Sequence, residues 1–161
     1  MLSSRRKAQT SLEALFIIAI ILTAVAIVVP VYTKSSSLST MDVYLRNSAS
    51  SACDYLNEGV MVNDSLHEPL NKVLAYTNYS YAFFSFEGIR VVEHGSDVDV
   101  TVNVFSKLSL SDAQRTFIES QIKEYMLRYI TARSNIRREG DYLYFGGKTF
   151  SITVNVRGET G

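Results

Sequence analysis

The chain has 161 residues, with 16 basic and 16 acidic side chains and no formal net charge, so it carries no charge excess for a polyanion such as nucleic acid. Its length fits one compact domain plus an extension. One cysteine, Cys53, excludes an internal disulfide. With His67 and His94 distant in sequence there is no Cys/His ligand spacing, and no metal or cofactor is expected. Cys53 reads as a small packing residue on a helix, with an intermolecular disulfide as the alternative.

The first element follows a basic leader, Arg5-Arg6-Lys7. From Ala14 to Val31 there are eighteen uncharged residues, twelve of them Leu, Ile, Phe or Val, interrupted only by Thr23 and Pro30. As a helix this run covers roughly 27 Å, close to the ~30 Å hydrocarbon core, and predicts a membrane span. Basic residues before it and only Lys34 close behind it predict a cytoplasmic N-terminus, with the remainder outside.

Three readings fit this start. It is a plain single-span anchor; a secretory signal cut at Ala24-Val25-Ala26, which the apolar Ile27-Val28-Val29 beyond argues against; or a signal cut before the apolar run. Glu13 favours the third, because a carboxylate at the mouth of a span is costly and useless in a simple anchor. If the chain is cut between Ala8 and Gln9, the new amine of Gln9 lies one helical turn from Glu13. In a staggered stack of copies the two groups can pair and set a register; the alternative is a Glu13 that sits at the interface and snorkels.

The string Arg6-Lys7-Ala8-Gln9-Thr10-Ser11-Leu12-Glu13, running into an apolar stretch, resembles the class III signal peptide of archaeal type IV pilins. The resemblance covers about the first 32 residues. It implies cleavage after Ala8 by a prepilin peptidase that recognises Arg6 and Lys7, Gln9 as the mature terminus, and Glu13 as the assembly carboxylate. It also implies a helix kink at Pro30. Ala8 departs from the family's usual Gly before the cut. Archaeal flagellins share the basic leader but not this Ser-Leu-Glu.

The expected organisation is a leader over 1–8, a transmembrane or filament-core helix over 9–33, and an extracytoplasmic head over 34–161. Lys34–Thr40 is Ser-rich, either a hinge or a polar helix segment. Met41, Leu45, Ala49, Ala52, Leu56 and Val60 recur at helical spacing and predict a helix over about 40–61. Tyr79–Glu87 and Ile89–Glu93, divided by Gly88, predict a hairpin.

Val98, Val100, Val102 and Val104 alternate with polar residues, as do Phe150, Ile152, Val154 and Val156, predicting an antiparallel sheet with one wet face. Gly146-Gly147 predicts a tight turn. Between these runs Ser111 caps a helix to Ser134 with an apolar stripe of Ala113, Phe117, Ile118, Ile122, Met126, Tyr129 and Ile130. The fold class is α+β, a long N-terminal hydrophobic helix followed by a head of antiparallel sheet and second helix over 79–156.

The head carries no catalytic constellation. Asp97 and Asp99 share a strand face without a third ligand and read as solvated. Glu119, Glu124, Lys123 and Arg128 read as surface ion pairs. The cluster Arg133, Arg137, Arg138 and Glu139 complements a helix dipole, with a contact to a neighbouring subunit as the alternative. Phe83, Phe84 and Phe86 read as core, with an exposed adhesive edge as the alternative. Asn63-Asp64-Ser65 and Asn78-Tyr79-Ser80 are glycosylation sequons on the predicted outer side.

The expected function is a non-enzymatic subunit of a surface filament for adhesion. The resemblance implies as partners copies of itself or related pilins, a prepilin peptidase, an assembly platform and, before assembly, membrane lipid. The alternatives are an unprocessed membrane-anchored binding module or a flagellin-like subunit.

Overall fold

A computed structural model describes residues 2–77 and 83–158, with the side chains of 2–12 and 30–36 outside that description. The chain divides into two compact units, Met1–Leu38 and Ser39–Gly161.

Helix α1 runs over Leu2–Glu58, so the Ser-rich Lys34–Thr40 is a helical segment and not a break. Its described apolar run, Ala14–Val29, has 16 residues and covers about 24 Å. Among the described residues no helix is long and apolar enough to cross a membrane. The expected membrane span is corrected accordingly. The longer count included Pro30 and Val31, whose side chains lie outside the described residues, as does any kink at Pro30.

The second unit builds its core from four kinds of stripe. On α1, Met41, Leu45, Ala49, Ala52, Cys53 and Leu56 are at most 3% exposed. The helix stops at Glu58, short of the expected Met61, and Val60 is exposed. Helix α2, Glu68–Tyr76, was not anticipated. Pro69 opens its first turn, where the missing N–H has no helical partner, and Pro69, Leu70, Val73 and Leu74 are buried.

Helix α3, Asp112–Arg133, begins at an Ser111 N-cap whose hydroxyl accepts from the Gln114 amide, while the Gln114 side chain accepts from the Ser111 amide. Its buried residues are Ile118, Ile122, Tyr125, Met126, Leu127, Tyr129 and Ile130. The expected stripe holds from Ile118 onward, but Ala113 is exposed and Phe117 half-buried. Leu127 is added because α3 packs against both α2 and the sheet.

The sheet comprises β1 Phe84–His94, β2 Asp97–Ser106, β3 Arg137–Glu139, β4 Tyr142–Phe145 and β5 Lys148–Gly158 in the order β1-β2-β5-β4-β3. Both alternating valine runs face the core as expected, with Val98 beside Phe150 and Val104 beside Val156. The direction differs. Strands β2 and β5 are parallel, while the other pairs are antiparallel, so the expected antiparallel sheet is corrected to a mixed one. Alternation reports which face is wet and carries no information on direction. Here α3 and the β3–β4 hairpin form the long crossover that a parallel pair requires.

The Gly146-Gly147 turn forms as expected, with φ of 59° and 74° that side-chain-bearing residues rarely adopt. The hairpin expected at Gly88 does not form. Gly88 lies at a bulge inside the continuous β1, and the chain reverses instead at Gly95-Ser96. A lone glycine suits a bulge, whereas a Gly-Ser pair supplies both corners of a two-residue turn. Residues 79–82 of the expected hairpin lie outside the described residues.

Candidate functional site

From Glu13 to Val29 every residue of α1 is exposed. Eleven large apolar side chains in this stretch, from Leu15 to Val29, are 50–70% exposed. They surround the helix and do not form a stripe, because consecutive residues such as Leu15, Phe16, Ile17 and Ile18 point to every side. A helix apolar all round is stable only when something apolar surrounds it. Phe16, Ala19, Ile20, Thr23, Ala24 and Ile27 outline a shallow dent where the small residues lie. Thr23 adds no polar demand there, since its hydroxyl donates to the Ala19 carbonyl at 2.8 Å.

Of the residues singled out from sequence, Glu13 lies exposed at the start of this surface. Arg6, Lys7, Ala8 and Gln9 belong to α1, but their side chains lie outside the described residues. So do Pro30's side chain and the whole of Asn78. Asn63 is exposed in the loop between α1 and α2. That loop is pinned on both flanks of Asn63: the Tyr55 hydroxyl accepts from the Val62 amide at 2.7 Å, and Asp64 accepts from the His67 amide and from Nδ1 at 2.7 and 2.8 Å.

The second unit holds polar networks among its described residues. Arg138 and Arg128 both bind Glu124, at 2.6 and 2.7 Å, and Arg128 reaches Glu68 at 3.0 Å. Glu124 makes the expected i,i+4 ion pair with Arg128 and, through Arg138, is also the partly buried centre of a network. Among the described residues Glu119 makes no such pair; its carboxylate accepts from the Val156 amide at 2.9 Å and ties α3 to β5. Arg133 covers the Tyr129 ring and Arg137 the Tyr144 ring, so the basic cluster is divided among separate partners.

His94 lies 3.8 Å from Asp99, with both side chains exposed. Among the described residues no group of three His, Cys, Asp or Glu is arranged to hold a metal. Of the phenylalanines, Phe84 is core, while Phe83 is 39% exposed beneath the Lys107 ammonium. Burial, with Asp54 adding to it, pushes the Cys53 thiol up to about 12, which keeps it protonated and inert at neutral pH.

Burial raises the Glu124 carboxyl, but hydrogen bonds from Arg138 and Arg128 outweigh it, and the net shift is downward. A depressed carboxyl stabilises the fold above its unfolded pKa, and that stabilisation is lost as pH falls through the folded value. Glu124→Gln should therefore lower Tm at pH 7 by about 4 °C, equivalent to about 1 kcal/mol. It should leave Tm below pH 3 nearly unchanged. Thermal scans at both pH values check this, and an equal loss at both would refute the electrostatic origin.

Comparison with protein-family models, curated proteins and solved structures finds no match for the chain.

Proposed function

We propose that the chain is the precursor of a surface-filament subunit similar to archaeal type IV pilins. A prepilin peptidase cuts it between Ala8 and Gln9, and copies then assemble through α1. The observation that carries this reading is the apolar surface from Leu15 to Val29, exposed on all sides of the helix. Patches of this kind exceed what a lone soluble domain tolerates and mark an interaction site. The second unit meanwhile closes its own core without that segment.

Copies of the same helix, or of related subunits, supply apolar cover all round, and repeated head-to-tail contacts of this type propagate as an open helix. Before assembly the precursor is kept at the cell membrane, in contact with lipid and with the assembly platform. Afterwards it is displayed on the cell surface for adhesion, with Asn63 and Asn78 as acceptors for glycans.

N-terminal sequencing of the native protein tests the reading. Gln9 is the expected terminus; Met1 would indicate an unprocessed binding module, and Ile27 an ordinary secretory signal. Removing Met1–Ala8 takes away three basic and no acidic residues, moving side-chain charge from zero to −3. Ala8→Trp should block this step, since a bulky side chain at the cut does not fit where a small one is required. Intact-mass measurement of that variant checks it, and normal loss of eight residues would overturn the assigned site.

A further inference from the structure

Three consecutive apolar residues of the second unit stand in water. Val60, Met61 and Val62 follow the end of α1 and are 61%, 38% and 44% exposed. Single exposed valines are ordinary, whereas three apolar side chains on one short loop make a patch.

Polar bonds hold the patch where it is. Gly59 takes φ of 67° and its amide donates to the Tyr55 carbonyl at 3.3 Å, which turns the chain out of the helix. The Tyr55 hydroxyl donates to Asn71 Oδ1 at 2.5 Å and accepts from the Val62 amide, and Asn71 Nδ2 donates to the Val62 carbonyl at 2.9 Å. Tyr55, Asn71 and the Val62 backbone thus close a ring of bonds between α1, the loop and α2. Both backbone groups of Val62 are used in that ring, so the loop cannot roll its apolar side chains under without breaking it. The Asp64 amide also donates to the Val62 carbonyl, at 3.0 Å, a three-residue turn with the exposed Asn63 at its apex. The residue that follows the patch is therefore the acceptor of the sequon Asn63-Asp64-Ser65, presented outward on a fixed turn.

We propose that an oligosaccharide on Asn63 is the cover of the Val60–Val62 patch. Transfer joins Asn63 Nδ2 to C1 of a glycosyl phosphate donor; the nitrogen loses a proton, and the phosphate leaves with the electron pair of the C1–O bond. The sugar is the fitting occupant because its point of attachment adjoins the patch. A covalent tether holds it there at high effective concentration, without the association cost that a separate partner meets. At about 3.3 Å per extended residue the far end of the patch is about 10 Å from Asn63, the reach of a short glycan. Sugar rings turn C–H faces to apolar side chains and hydroxyls to water, so this bulky, solubilising group covers the patch without making another. The cover rests on the outward placement of the head in the filament reading, and it does not require assembly.

Met61 makes the cover measurable. Among the described residues the other methionines, Met41 and Met126, are both 0% exposed. Dilute peroxide gives one oxygen to an accessible thioether and leaves as water, so in an uncovered head it should reach Met61 and spare those two. The full chain is purified from its native host in detergent, which keeps copies apart, and peptide masses are followed with time. Met61 should oxidise at least about fivefold more slowly in the wild type than in Asn63→Gln or Ser65→Ala, both of which destroy the sequon. Ser65→Thr keeps the sequon and should keep the protection. Unoxidised Met41 and Met126 show that each variant is folded. Equal Met61 rates in a glycosylated wild type and in Asn63→Gln would overturn the cover. Slow oxidation in all four proteins would overturn it as well, because protein and not sugar would then shield the loop. The N-terminus of the same sample separates the two readings: Gln9 with a bare Asn63 sinks the cover alone, whereas Met1 with a glycan and a protected Met61 sinks the filament alone.

Discussion

Phe150→Ala should cost the head unit about 3–5 kcal/mol, the loss expected for truncating a fully buried aromatic ring. Phe150 is 1% exposed on β5, between Val98 of β2 and Leu143 of β4, both 0% exposed. Central strands on both sides and α3 across the core face leave no neighbour free to collapse into the space. A unit of this size has about 6–18 kcal/mol in total, so the variant sits close to unfolding. Tm should fall by roughly 10–20 °C. Thr153→Ala, on the exposed face of the same strand, should move stability by no more than about 0.5 kcal/mol. Urea titration of both variants checks the pair. A loss below about 1 kcal/mol at Phe150 would mean the core is not packed as described.

The contrast between Phe150 and Thr153 was legible in the sequence, because period-two alternation is a local pattern with a physical cause. The Ser111 cap and the Gly146-Gly147 turn were legible for the same reason: each is satisfied by residues within three or four positions. Strand direction was not. Nothing in Val98–Val104 or Phe150–Val156 distinguishes a parallel from an antiparallel neighbour, since that depends on where α3 returns the chain. Helix α2 had a readable start in Pro69 and spaced apolar residues in Leu70, Val73 and Leu74, but nine residues give too short a period to stand out. Gly88 was misread because a bulge and a turn ask the same thing of glycine. Glu119 was invisible as a structural residue, since its backbone partner lies 37 positions away.

The apolar α1 surface was legible in composition. An exposed apolar surface requires cover without stating which kind. The residue that discriminates is therefore a polar one at its edge, and Glu13 is that residue.

Glu13→Gln should abolish filaments while leaving the mature protein in place. The substitution preserves size and most hydrogen-bonding capacity and removes one charge. The leader Arg5-Arg6-Lys7-Ala8 is untouched, so cleavage to Gln9 should proceed as in the wild type. In the proposed assembly the α-amine of Gln9 on an incoming subunit enters a bundle of helices whose side chains from Leu15 to Val29 are apolar. With no carboxylate to meet it, the amine is a lone charge in a low-dielectric surround. Leaving one member of a buried pair alone costs about 3–5 kcal/mol. At about 1.4 kcal/mol per factor of ten, each addition step weakens by roughly two to three orders of magnitude. Elongation requires every step to be favourable, so a loss of that size ends polymerisation instead of shortening the product. Electron microscopy should show bare cells, and mass analysis of the membrane fraction should show protein of mature length. Filaments of normal number and length would remove the pairing of Glu13 with Gln9 and leave the apolar surface alone to drive assembly.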